Sequence, residues 1–173
     1  MVLLFANLVP VFGEYVVPTK QEQELYNKLL AEFEKLDIEK KDVSEVLKTF
    51  KERLVVSFSC DSTDLNDLVV IVVKTRLAKF DETQVHEGGV TTGGTYTWQC
   101  TVTTSEGKIT VDCNNELRLN PVNLTQDAER DPRIKKAENL FILYHELLHG
   151  QLMIDAITSS DKWRDDVCNK PPE

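Results

Sequence analysis

Residues 95–113 read TYTWQCTVTTSEGKITVDC, two alternating runs rich in Thr and Val around a turn that contains Gly107. β-Branched and aromatic residues in alternation mark strands, and a glycine between two such runs marks a hairpin. The loop length sets the register. With Glu106-Gly107 as a two-residue loop, Ser105 faces Lys108, and stepping outward brings Cys100 opposite Cys113. Counted from the turn, that pair is non-hydrogen-bonded, with Cα atoms about 4.5 Å apart, close enough for a disulfide. A three-residue loop with Gly107 as a bulge would shift the register by one and misalign the two cysteines. By elimination, Cys60 joins Cys168 and ties the C-terminal tail to an early strand.

The cysteines also speak about compartment. There are four, an even number, and no CxxC pair of the kind used in zinc ribbons or redox motifs. Two disulfides fit an oxidising environment, hence a secreted or cell-surface protein. The first thirteen residues, MVLLFANLVPVFG, form an apolar stretch of signal-peptide length, with Val11 and Gly13 at −3 and −1 of a cleavage position. The positively charged start of such a peptide is missing. Residues 1–13 are therefore read as a signal-peptide remnant or an apolar N-terminal segment, and 14–173 as a single domain. Asn123-Leu-Thr125 is a glycosylation sequon consistent with export.

Composition narrows the partners. The chain has 173 residues, 41% hydrophobic and 28% charged, which are values of one globular domain. A net charge of −9 argues against nucleic acid or an anionic membrane surface as the main partner. No run reaches the ~18 apolar residues that a membrane-spanning helix requires.

Outward from the hairpin, the periodicity changes. Thr19 and Glu22 form a capping box, and Tyr26, Leu29, Leu30, Phe33 and Leu36 recur at helical spacing, giving a helix over 20–36. A second helix is expected from Asp42, with Glu45 in the box position and Val43, Val46, Leu47, Phe50 and Leu54 on one face. Residues 54–60 and 68–76 are β-branched runs separated by a turn-rich connector. LVVIVVKT lacks polar alternation, which predicts a central strand covered on both faces. Four of the seven glycines fall in 81–94, a loop between strands. Asp131-Pro132 opens the last long helix, with Ile134, Ala137, Leu140, Phe141, Tyr144, Leu147 and Leu148 in period. The chain is thus an α+β domain: two N-terminal helices, a small mostly antiparallel sheet with a hairpin, and a long C-terminal helix.

That last helix carries YHELLHG at 144–150. His145 and His149 stand four apart, so both imidazoles project from one face within reach of one ion. Glu146 follows the first histidine, placed to deprotonate water. Zinc takes imidazole nitrogens and lowers the pKa of water from 15.7 toward about 7. Only three histidines occur in the chain, and random placement would give this arrangement in roughly three chains per thousand.

HELLH resembles the signature of the zincin metallopeptidases, and the order of sheet, hairpin and motif helix over about 55–157 resembles theirs more loosely. The resemblance implies a zinc-dependent peptidase acting on peptide or protein substrates. His145 and His149 would be ligands, Glu146 the catalytic base, and an edge strand of the 95–113 hairpin would align substrate by strand addition. In HELLHGQLMID, Asp155 falls at the metzincin third-ligand position, while Leu152 replaces the turning glycine and Gly150 comes two residues early. An unbroken helix would point Asp155 away from the histidines. Asp161, Asp165, Asp166 and His86 are then the other sources of a third ligand. No calcium-binding EF-hand loop, phosphate-cradling glycine loop, GxSxG elbow or basic aromatic surface is present.

Overall fold

The hairpin forms with the two-residue loop. In the computed structural model, Glu106 and Gly107 take φ of 50° and 77°, the doubly positive geometry of a tight hairpin turn. Ser105 pairs with Lys108 and Cys100 with Cys113. The last two form a disulfide with Cα atoms 4.0 Å apart. The structure describes residues 17–36, 40–60, 68–79, 93–120 and 131–169. The apolar segment 1–13, His86 with most of the glycine-rich loop, and the Asn123 sequon lie outside the described residues.

The chain is α+β. Four strands, β1 (Leu54–Ser59), β2 (Leu68–Leu77), β3 (Gly94–Ser105) and β4 (Lys108–Leu119), form one sheet in the order β1-β2-β4-β3. β1 with β2 and β3 with β4 are antiparallel, as expected, but β2 and β4 run parallel, so the sheet is mixed. Side-chain chemistry explains why β4 rather than β3 takes the interior place. β4 sends Ile109, Val111, Cys113, Leu117 and Leu119 into the core, whereas β3 is mostly Thr, Gln and half-exposed side chains suited to an edge.

β2 is central, but its coverage differs from the expectation. Val69, Ile71 and Val73 are fully buried, while Leu68, Val70 and Val72 on the opposite face are only half-buried. The apolar run therefore alternates in burial after all.

α1 (Lys20–Lys35) begins with the expected capping box: the Glu22 N–H donates to Thr19 Oγ1 at 3.2 Å, and the Thr19 N–H donates to Glu22 Oε2 at 2.7 Å. Tyr26, Leu29 and Phe33 pack into the core, and the Tyr26 hydroxyl donates to the Leu119 carbonyl, pinning α1 to the end of β4. The second helix is shorter than its apolar spacing predicted. Residues Lys40–Val43 form a 3₁₀ turn and α2 covers only Ser44–Thr49, with Val43 as an N-cap that makes no side-chain cap bond. The Asp42/Glu45 box does not form, and Leu54 belongs to β1. Asp42 instead accepts a 3.4 Å bond from the Tyr144 hydroxyl.

α3 (Pro132–Ser159) starts where Asp131 caps it, accepting from the Arg133 N–H. Its buried face is rotated from the expected one. Leu143, Leu147, Met153, Ile154 and Ile157 are buried, whereas Ile134 and Phe141 are 55% and 67% exposed. A helix apolar on nearly every side offers periodicity no unique choice, and the small or polar residues that face the sheet decide instead. α4 (Asp161–Asn169) follows, opened by Ser160 Oγ accepting from the Trp163 N–H. It is held to β1 by the Cys60–Cys168 disulfide, an edge-to-face contact of Phe58 with Trp163, and Arg164 over the Phe58 ring.

Candidate metal centre

His145 and His149 lie one turn apart on α3, and both are exposed. Their Nε2 atoms stand 3.1 Å apart with the ring planes at 89°. Two imidazole nitrogens at zinc-bonding distance in a tetrahedral arrangement would be about 3.3 Å apart. The two side chains therefore present a pair of donors at close to the required separation, with no change of helix geometry.

Glu146, between them in sequence, turns inward and is 7% exposed. It reaches β3, the outer strand of the hairpin. The Cβ that Gly94 lacks would stand 3.0 Å from Glu146 Cγ and 3.1 Å from the Arg118 carbonyl oxygen, so the side chain packs tightly over this glycine and a larger residue would force a shift of a few tenths of an ångström. The main-chain N–H of Tyr96 lies close enough to the Glu146 carboxylate to favour its charged form. Burial holds the carboxyl above its ordinary pKa, opposed by the nearby imidazoles of His145 and His149 and by the Tyr96 N–H.

The raised value has a consequence for the metal-free protein. A carboxyl that is harder to ionise in the fold than in the unfolded chain makes stability fall as pH climbs between the two pKa values. Above that interval the fold alone carries the cost of the buried charge; below it both states are neutral. Glu146→Gln is thus expected to raise the Tm of metal-free protein at about pH 7 and to leave it unchanged at about pH 3, a difference readable by calorimetry.

The direction of the Tyr96 N–H follows from the turn. Ser105 and Lys108 close a tight hairpin as a hydrogen-bonded pair, and such pairs alternate along an antiparallel ladder. Tyr96–Leu117 and Trp98–Asn115 are consequently non-hydrogen-bonded pairs, whose main-chain groups on β3 point to the open edge of the sheet. Glu146 covers the Tyr96 position on that edge. Trp98 is the next residue with the same outlook, and its side chain is 55% exposed.

Beneath the motif, Gly150 takes the Tyr96 ring. A Cβ there would fall 2.6 Å from Tyr96 Cζ. The Tyr96 hydroxyl stands 3.0 Å from Thr75 Oγ1 and accepts from Asn115 Nδ2 at 3.1 Å, and Thr75 Oγ1 is 2.5 Å from Thr49 Oγ1. Burial raises the pKa of this phenol against the effect of those two partners.

The remaining acidic residues stand apart. α3 runs without a break to Ser159, so Asp155 lies about 9 Å along the axis from His149 and about 120° around it. Asp155 accepts instead from Gln151 Nε2 at 2.9 Å. Asp161, Asp165 and Asp166 are exposed on α4, which is bound to β1 at the opposite edge of the sheet from β3. Among the described residues, no group of three or more His, Cys, Asp or Glu side chains converges to hold a metal ion. A cleft of about 470 Å³ lined by Leu30, Leu47, Phe50 and Leu77 opens between α1, α2 and β2, and none of the motif residues lines it.

Of the residues singled out in the sequence, the structure brings the imidazoles of His145 and His149 together and turns Glu146 inward. The close packing at Gly94, Tyr96 and Gly150 was missed. The two glycines were detectable in principle, since a glycine inside a strand or helix pattern marks a close approach. Tyr96 carried no such mark. Comparison of the chain with protein-family models, with curated proteins and with solved structures finds no match.

Proposed function

We propose that this protein is an exported zinc-dependent peptidase whose centre is built on α3. The observation that carries the proposal is the 3.1 Å approach of two Nε2 atoms beside a buried carboxylate. His145 and His149 would hold the ion. The remaining coordination would come from water or from groups outside the described residues, among which His86 stands, because α3 carries Asp155 away from the pair. Zinc bound there would supply a Lewis acid that polarises the scissile carbonyl and acidifies water at neutral pH.

The chain's own residues supply the rest. Glu146, held above its ordinary pKa, is a better proton acceptor than an exposed carboxylate, and would take the proton of the attacking water and pass it to the leaving amine. The main-chain groups of alternate β3 residues, Trp98, Cys100, Val102 and Thr104, face the open edge, where an extended peptide can add as a further strand.

Export is supported by the two disulfides, which pair all four cysteines. Among the described residues no helix is long and apolar enough to cross a membrane. Hydrolysis of an unstructured protein substrate is expected to stop on chelation and to return with zinc. Hydrolysis unchanged by a chelator would remove the metal from the mechanism.

A further inference from the structure

We infer that two copies of this chain pair antiparallel through the exposed face of α3, sharing one zinc ion among the four imidazoles of their His145 and His149 side chains. The inference rests on the reading of those histidines as zinc ligands and not on peptide hydrolysis; it gives the same centre a second, closed state.

Two features of one helix face are left incomplete by a single chain. The first is an uncovered apolar stripe, in which Ile134, Phe141 and Leu152 are 55%, 67% and 65% exposed. At about 100° per residue, these three fall with Leu148 and His145 within about 60° of one another around the axis. The second is the pair of Nε2 atoms 3.1 Å apart, which no third His, Cys, Asp or Glu joins among the described residues. Zinc takes four ligands, so the chain offers half of a coordination sphere, set at the stripe itself.

The spacing makes this face complementary to itself. The midpoint of Phe141 and Leu152 and the midpoint of the two histidines fall within about 1 Å of each other along the helix. A twofold axis at that level sets Phe141 of each copy against Leu152 of the other, and by the same operation brings the second pair of imidazoles to the first. Both histidines lean to one side of the stripe. The twofold axis preserves that side, so all four donors gather on one flank. Charge agrees with the antiparallel direction. α3 begins with Arg133, Lys135 and Lys136, has no acidic residue in its first turn and no basic one in its last, and ends beside Asp155 and Asp161. Pairing sets the basic start of each helix beside the acidic end of the other, with Arg133 level with Asp161. Glu138 and Asp155, level with each other in the same register, lie on opposite flanks of the stripe.

Area decides that the metal is required. The exposed parts of Ile134, Phe141 and Leu152 are on the order of 100 Å² each. Two copies thus cover roughly half of the ~1,200 Å² at the lower end of stable interfaces. Apolar contact alone leaves the chain monomeric, and the shared ion supplies the rest. Four imidazoles fill a tetrahedral sphere and leave no position for water, so the pair is a resting form of the centre. Each copy can also hold an ion of its own, so zinc at one equivalent per chain or above separates the pair by mass action.

Sedimentation of the full chain through a zinc titration tests the pairing. Metal-free protein should be monomeric, become dimeric as zinc approaches half an equivalent per chain, and return in excess metal to a monomer carrying one zinc. His149→Ala should abolish the dimer. Phe141→Glu should weaken it about 100-fold or more while keeping one zinc per chain in excess metal, since that side chain is exposed and its replacement spares the fold. A monomer at every zinc ratio, with one zinc bound per chain, would overturn the pairing and leave the centre standing. A dimer that Phe141→Glu leaves unchanged would put the contact elsewhere and overturn it as well. No zinc binding at all would remove the metal centre, and the pairing with it.

Discussion

Glu146→Gln is expected to keep zinc at about one per chain and to lose about 10²–10⁴-fold in kcat on a peptide substrate. The amide is nearly the same shape as the carboxylate, so the packing of the side chain against Gly94 survives. It cannot take a proton from water. The histidines, which lie outside that packing on the exposed side of α3, keep their spacing. Loss of rate with retention of metal is therefore the signature of a missing base, and steady-state kinetics with metal analysis of the same sample reads both. Activity retained within a few-fold would take Glu146 out of the chemistry.

The second large effect concerns the fold. Replacing Cys60 and Cys168 together by Ser is expected to cost about 4–5 kcal/mol, measured by urea denaturation against wild type. The bridge closes a loop of 108 residues, and the chain entropy removed from the unfolded state grows with loop length. The same change at Cys100 and Cys113, 13 residues apart, should cost about 3 kcal/mol or less, since the turn already brings those strands together. A long bridge worth no more than the short one would mean that α4 contributes little to the fold, despite its contacts on β1.

How far these features could be read in the sequence depended on whether local chemistry or distant packing decided them. The Glu106-Gly107 turn, the Cys100–Cys113 pair and the Thr19/Glu22 cap each rest on residues a few positions apart, and each formed as read. The rotation of α3 was not readable, because its apolar residues surround the axis and only the tertiary contact of Glu146 and Gly150 with β3 selects the buried side. The parallel pairing of β2 with β4 is likewise a competition between two strands for the interior position, settled by the more apolar face of β4. The box at Asp42 and Glu45 gave way to a 3₁₀ turn.

The site divided along the same line. Two histidines at a four-residue spacing need only a helix to meet, so His145 and His149 were legible. Asp155 matched a register that requires the chain to turn after the motif. Gly150 does not provide that turn; it serves close packing under Tyr96 within a continuous helix. Tyr96 itself emerges only when strand parity, the buried polar chain and the motif helix are superimposed.

The most direct test of a metal centre on this helix is the zinc content of protein purified without a histidine tag, compared with the His145→Ala/His149→Ala double variant. About one zinc per chain in the wild type and none in the variant is the predicted result. Equal zinc in both proteins, or none in the wild type after exposure to excess zinc, would contradict it.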